Sequence, residues 1–448
     1  MIRSSLTGDL VARALAARPG PDARAAASAA LDDLLTSSLL AAGEPAARAL
    51  VADGTAAGGA GGWVIGHPDA ALTPPAAALA GGFQAHLLDI DDTSEAVRGH
   101  PSAVLFPALF AVAGPDVAGA DLLDAYVVGL EVMARLARAL PSDHYARGWH
   151  QTGTVGGLAA ALAGARLADT DAQTAARAMA IAAQSSAALR VQFGTEAKPL
   201  AAGLAARSAV DAVRWAAAGL SAAPDVLAGP AGWLAVHRAD RDAATATLLD
   251  GFGDSWSLLT DGLWVKDGPY CSAAMAPVQA ARQLARTRRG APERVVVRLR
   301  PGADMALIHR VPATGEQGRF SLEYLVALTL LDAPLDLSTL GTGPARPDAV
   351  ALAQQVIREE VPASPLSVGR DRWTEVVVHY PDGDTASATV TVPLGSPGRP
   401  LDDRARSLKR RAAAGPDAEL LEASVAQAGN RPWSATVDAL RRLRPPNP

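Results

Sequence analysis

Residues 86–102 read HLLDIDDTSEAVRGHPS, three aspartates and two histidines inside a chain that is 49% hydrophobic. Carboxylates beside imidazoles are the raw material of general acid–base chemistry, because a carboxylate can orient an imidazole whose proton exchanges near neutral pH. Asp89, Asp91, Asp92, Thr93 and His100 fall in this run, and His150 follows in GWHQTGTVGG. The basic residues add a second signal. Lysine and arginine total 41, yet lysine occurs only at Lys198, Lys266 and Lys409. Arginine does not lose its proton in proteins, so a lysine kept in an arginine-rich chain is either a chance survivor of compositional bias or a position where an exchangeable amine has a use.

Simpler explanations exist for each residue. Asp92 or Thr93 could cap a helix. His100 precedes a proline at a helix start, and His150 could cap the helix after it. Cys271, the single cysteine, is of a type more often buried as a small hydrophobe than used as a nucleophile. DIDD and DDTSE also resemble the acidic motifs of terpene cyclases. Magnesium binding of that kind needs a second ligand cluster on a facing helix, and none occurs at a recognisable spacing. Aromatic residues are 4% of the chain, too few for the walls that stabilise carbocations. No metal is therefore expected at these runs.

The elements that must position these residues are mostly helical. Apolar residues recur at i, i+3, i+4 over 121–140, and 152–168, 171–190 and 200–220 follow as alanine- and glycine-rich helices. The texture changes near residue 290. ERVVVRLR (293–300) alternates as a strand, 318–331 and 346–361 read as helices, and 373–395 reads as two strands joined by an Asp-Gly turn. From 402 the chain returns to helix. The expected fold is mostly α: a helical domain over 1–268, an inserted α+β lid domain over 269–398, and a helical return over 399–448 that docks on the first domain.

Several ordered segments resemble the MmgE/PrpD family, which includes 2-methylcitrate dehydratase, cis-aconitate decarboxylase and iminodisuccinate epimerase. AALAGGFQAHLLDIDDTSEAVRGHPSAVLFPALFAVA (77–113) is similar to its "aHaldfDDt…HPs" signature. GWHQTGTVGGLAAALAGARLAD (148–169), FGTEAKPLAAGLAARSAVDA (193–212) and VKDGPYCSAAMAPVQAA (265–281) follow in register, and Lys409 sits where a family lysine is usual. The resemblance implies a helical domain with an α+β lid, and cofactor-free proton chemistry next to a carboxylate: dehydration, decarboxylation or epimerisation. It implies a small carboxylate as substrate and a homodimer as assembly.

Carried over by position, Asp89 orients a histidine or acts as base, Thr93 shapes the loop, and His100 is a general acid/base. His150 is a second acid/base or a carboxylate ligand. Lys198 and Lys266 are carboxylate clamps or enolate stabilisers, and Cys271 lines the pocket. These groups are expected to share one cleft, while Lys409 is assigned a structural role. The chain departs from the family where Met275 and Ala201 replace histidines and Gln279 replaces an acid. Those changes make a pocket more apolar and a tricarboxylate a poorer substrate. They also keep two alternatives open: a repurposed isomerase or cyclase with a larger, more apolar substrate, and a non-catalytic ligand-binding paralogue.

Composition narrows the class. The 448 residues carry a net charge of −5 with both signs dispersed, unlike the concentrated basic face that nucleic-acid binding requires. No apolar run reaches the roughly 18 residues of a membrane span. The start, MIRSSLTGDLVARALAARPG, spaces its apolar residues as a helix and lacks a continuous leader core. The expectation is a cytoplasmic enzyme or binding protein without nucleic-acid or membrane partners.

Overall fold

The computed structural model describes residues 5–286, 290, 292–362 and 372–444. The chain is mostly α-helical and divides into two compact units. The first holds the residues through Leu189, then Pro199–Leu263, and the chain from Asp403 onward; the second holds Arg190–Lys198 and Trp264–Asp402.

Among the described residues, twelve α-helices precede the lid sequence, and the first nine are α1 (Leu6–Ala16), α2 (Pro21–Ala41), α3 (Pro45–Ala56), α4 (Pro74–His86), α5 (Pro101–Val112), α6 (Gly119–Ala139), α7 (Gln151–Leu167), α8 (Ala172–Ala182) and α9 (Ala197–Ala217). Helix α9 begins at the edge of the second unit and runs on through the first. Helix α7 is the centre of the core, buried continuously from Gln151 to Ala165. Its small residues let neighbours close in: a Cβ on Gly156 would meet Val104 of α5 at 3.2 Å. Helices α4 and α9 cross on paired glycines. A Cβ on Gly82 would lie 2.9 Å from the Gly203 Cα, and one on Gly203 would lie 2.3 Å from the Leu79 carbonyl. That contact places the end of α4, and with it His86.

Helix α8 stops at Ala182, short of the 171–190 expected from periodicity, and short 3-10 turns follow at Ala183–Ser185 and Arg190–Gln192. Ser186 leaves the helical path because its hydroxyl donates to the Thr154 carbonyl and accepts from the Trp233 indole N–H at 2.7 Å. A serine that finds such partners competes with the helix it sits in. The returning helix Asp403–Ala414 packs on α2.

The second unit carries a four-stranded sheet of order β2-β1-β3-β4, with β1 Arg294–Leu299, β2 Val356–Glu360, β3 Thr374–His379 and β4 Thr385–Val390. β3 and β4 form the expected hairpin, and Gly383 takes the left-handed backbone (φ 87) of its turn. The segment 346–361 corrects the sequence reading. Only Pro347–Ala353 is helical, and Val356–Glu360 pairs parallel to β1 with Val295 opposite Val356. The free edge of β1 needs partners for its N–H and C=O groups, and β-branched Val356 and Ile357 suit a strand, so pairing overrides local helical periodicity. Helix Met275–Ala285 packs on β3 and β4.

Among the described residues, no helix is long and apolar enough to cross a membrane.

Candidate active site

Helix α4 ends at His86, and α5 begins after His100, its N-cap residue. The loop between them reverses sharply. Asp89 holds φ 53, in the left-handed region that side chains other than glycine rarely adopt, and its N–H donates to the His86 carbonyl at 3.1 Å. The reversal turns the next residues inward, and Asp89, Asp91, Asp92 and Thr93 are all buried.

Asp91 is the hub. Its Oδ1 lies 3.0 Å from His86 Nδ1 and its Oδ2 lies 3.0 Å from His100 Nδ1. The two imidazole centroids are 3.8 Å apart. Burial by itself would raise the Asp91 carboxyl, but the imidazoles and their hydrogen bonds outweigh it and hold the group well below the usual carboxylate range. An ionised Asp91 accepts from both Nδ1–H groups, so the bonding assigns those protons and leaves His100 Nε2 to exchange. That nitrogen lies 3.4 Å from Asp89 Oδ1.

His150 joins through Thr152. The Thr152 hydroxyl accepts from the His100 backbone N–H at 3.1 Å and lies 2.9 Å from His150 Nε2. His150 stands at the N-cap position of α7 but makes no side-chain cap bond, and neither does His100 for α5. Both rings are therefore turned to each other's neighbourhood, with centroids 6.4 Å apart. Gly99 makes the approach possible: a Cβ there would fall 2.6 Å from Thr152 Oγ1 and 3.0 Å from the Thr152 backbone nitrogen. Backbone cannot move aside as a side-chain end can. Gly99→Ala is therefore expected to separate His100 from Thr152 and cost about 1–3 kcal/mol of stability. A chemical-denaturation midpoint equal to wild type would refute that assignment.

Behind the loop lies a second buried layer. The Ser102 hydroxyl is 2.5 Å from Asp92 Oδ2 and 2.7 Å from the Tyr126 hydroxyl. Burial, and then the charge of Asp33, push the Asp92 carboxyl well above its usual range. Lys409 donates to Asp33 Oδ1 at 2.5 Å and to the Ile90 carbonyl at 2.9 Å. The returning helix thus grips the backbone between Asp89 and Asp91. The Thr93 hydroxyl is buried and has no hydrogen-bond partner among the described residues.

The expected residues separate by unit. Asp89, Thr93, His100 and His150 belong to the first unit, as does Ala201, which faces a hollow beside α9. Lys198, Lys266, Cys271 and Met275 belong to the second unit, so Lys266 falls on the far side of the boundary expected at 268. Within that unit Lys198 sits over the rings of Phe193 and Phe320, at 5.3 and 5.1 Å. Lys266 is fully buried, an unusual setting for an ammonium group. Cys271 is buried, and its backbone N–H donates to the Arg319 carbonyl at 3.1 Å. Met275 is fully buried with its methyl against Gly395.

His86 and Thr152 escaped the sequence reading, which named Asp91 without giving it a role. His86 and Asp91 lie in the same short run as Asp89, and the capital H of the family signature points at His86. Side-chain roles within HLLDIDD depend on the backbone reversal at Asp89.

The hub also bears on metal binding. His86, Asp89, Asp91 and His100 each offer one ligand atom, all within 4.8 Å of one another. Two imidazoles supply what the acidic runs lacked as a second cluster. A mixed nitrogen and oxygen set suits zinc-like ions better than magnesium. Both Nδ1 atoms, however, are already directed at Asp91.

Comparison with known proteins adds the family context. Residues 7–246 match the MmgE/PrpD N-terminal domain and residues 269–425 match the MmgE/PrpD C-terminal domain. The cis-aconitate decarboxylases of Homo sapiens and Mus musculus are similar to this chain, each 27% identical over 72% of it and over 69% and 68% of their own lengths.

Proposed function

Because this chain belongs to the MmgE/PrpD family, we propose that it is a lyase or isomerase that moves a proton at carbon next to a carboxylate. The observation that carries this reading is Asp91 bridging the Nδ1 atoms of His86 and His100. A carboxylate on one ring nitrogen orients the imidazole and stabilises the imidazolium that forms when the other nitrogen takes a proton. His100 Nε2 then serves as acid/base, with Asp89 beside it. His150, held through Thr152, acts as the second acid/base or receives a substrate carboxylate. The unpartnered Thr93 hydroxyl donates to the substrate.

Lys198 and Lys266 are assigned to substrate carboxylates and to the enolate that develops when the proton leaves. Lys266 is fully buried, which suits a fixed electrostatic task. The substrate carries fewer carboxylates than citrate, because Ala201 and Met275 supply no imidazoles. The reading takes the chemistry to run by proton transfer alone, with Asp91 holding both Nδ1 atoms.

The test is proton exchange in D2O. Small carboxylates are first screened for those that raise the melting temperature, and each binder is then followed by proton NMR. The expected result is deuterium entering beside a carboxylate, or loss of water or carbon dioxide, unaffected by chelator and abolished in His100→Ala. Binders that show neither exchange nor turnover would leave a ligand-binding protein instead. Activity lost to chelator and restored by zinc would replace proton chemistry at His100 with metal chemistry.

A further inference from the structure

The segment that leads into His150 carries another histidine, one that the acid–base site does not use. Residues 142–148 run as consecutive turns between α6 and α7. His144 lies among them and is fully buried, and neither of its ring nitrogens has a hydrogen-bond partner among the described residues. A polar ring buried without a partner costs stability, so a native one calls for an explanation. Phenylalanine would fill the same space without that cost.

What surrounds His144 is aromatic. Trp149 stacks on it, with centroids 5.6 Å apart and planes inclined by 9°. His237 meets it edge-on at 5.3 Å and meets Trp149 edge-on at 5.5 Å. His237 closes the short helix Trp233–Val236, and the Trp233 ring lies 4.8 Å from it. The Trp233 indole also donates to Ser186, whose hydroxyl donates to the Thr154 carbonyl of α7. The four rings thus join the turns, the short helix and the start of α7. Trp149 immediately precedes His150, and both are held at the backbone. Trp149 pairs with Leu189 as an isolated bridge, and the His150 N–H donates to the Ala188 carbonyl at 3.0 Å. Packing at His144 therefore reaches His150 through one residue.

This packing accepts a neutral imidazole and opposes an imidazolium. The charged and titratable groups acting on His144 are Arg147 and Asp143 on its own turns and His237 from the short helix. From the 94–99 loop, Arg98 lies over the neighbouring Tyr145 ring at 5.9 Å. Asp143 is already paired with Arg147 at 3.3 Å, and Arg147 also donates to the His237 carbonyl at 3.4 Å. Burial, then His237 and Arg147, lower His144 to about 4. Burial, then Arg147, lower His237 as well. A closed segment thus keeps His144 neutral, while an open one exposes an ordinary imidazole that takes a proton at about 6.5. Between those two values only the open form gains the proton, so falling pH favours opening.

We propose that His144 is a positioning residue for His150: neutral, it seals the turns against Trp149 and His237, and protonated, it releases them and lets His150 leave its place beside Thr152. The inference concerns where His150 stands, and it holds whichever reaction His150 serves.

Hydrogen exchange of the full-length protein, read by mass spectrometry and corrected for the intrinsic rate at each pH, tests it without a substrate. The reporting amides are those of His144, Arg147, Gly148 and His150, each of which donates to a backbone carbonyl. Linkage sets the expected rise in opening at about 30-fold between about pH 7.5 and about pH 5, while the amides of α6 keep their protection. His144→Phe should remove the dependence and leave the segment protected at both pH values. His144→Gln, which stays polar but does not titrate in this range, should remove the dependence as well. His237→Phe should keep most of it, because burial remains the larger cause at His144. Wild-type exchange that does not respond to pH would overturn the proposal. So would a response that persists in both His144 variants, one that disappears in His237→Phe, or one shared by α6, which would mark global unfolding instead of release of this segment.

Discussion

Asp91→Asn is expected to lower kcat by about 10²–10⁴ while the protein stays folded. The amide keeps the shape of the carboxylate but not its charge. Two Nδ1–H groups face Asp91, at 3.0 Å each, and an asparagine offers one carbonyl and one NH2. One ring must therefore turn or exchange its tautomer, and no charge remains to stabilise an imidazolium. Substrate affinity should change much less than kcat, because Asp91 is fully buried behind the rings. The stability difference also has a pH signature. Asp91 has a depressed folded-state value, so its contribution is complete above about pH 4 and is lost as the pH falls through that lower value. The gap in unfolding free energy between wild type and Asp91→Asn should accordingly narrow as pH falls below about 4. An unaltered kcat would reduce Asp91 to a structural role and remove the central support for proton transfer at His100.

Lys409→Met is expected to cost about 3–5 kcal/mol, the range for breaking one side of a buried ion pair. Lys409 meets Asp33 and the Ile90 carbonyl together, and both charged side chains are nearly buried. Without the ammonium, Asp33 stays among Asp32, Asp91 and Asp92 with no cation of its own. Burial raises the Asp33 carboxyl and Lys409 is the main force opposing it. In the variant Asp33 would take up a proton, its folded value lying above the unfolded one. The variant should then lose stability relative to wild type as pH rises through that raised value. Lys409→Arg should retain only part of the loss, because a planar guanidinium cannot place one nitrogen at both acceptors as an ammonium does. Urea titrations at two pH values measure both effects. A midpoint within error of wild type for Lys409→Met would show that the returning helix does not hold the Asp89–Asp91 backbone.

Much of the helical unit was legible in the residue order. The periodic runs that became α6, α7 and α9 lie within a few residues of their observed bounds, and the Asp-Gly turn announced the β3–β4 hairpin. These are local properties: side-chain spacing selects a helix face, and turn chemistry selects a reversal. The mixed imidazole and carboxylate content of residues 86–102 likewise located the candidate site. What local order could not decide was partnership. Val356–Glu360 became a strand because β1 had an edge to satisfy, although its own neighbours spelled a helix. Asp91, rather than Asp89, became the hub because the left-handed backbone at Asp89 turned the following residues inward. Lys409 reached Ile90 from 319 positions away, a distance across which no residue pattern carries information. Burial made each of these choices binding, since a buried donor, acceptor or charge must find its partner wherever the fold supplies one.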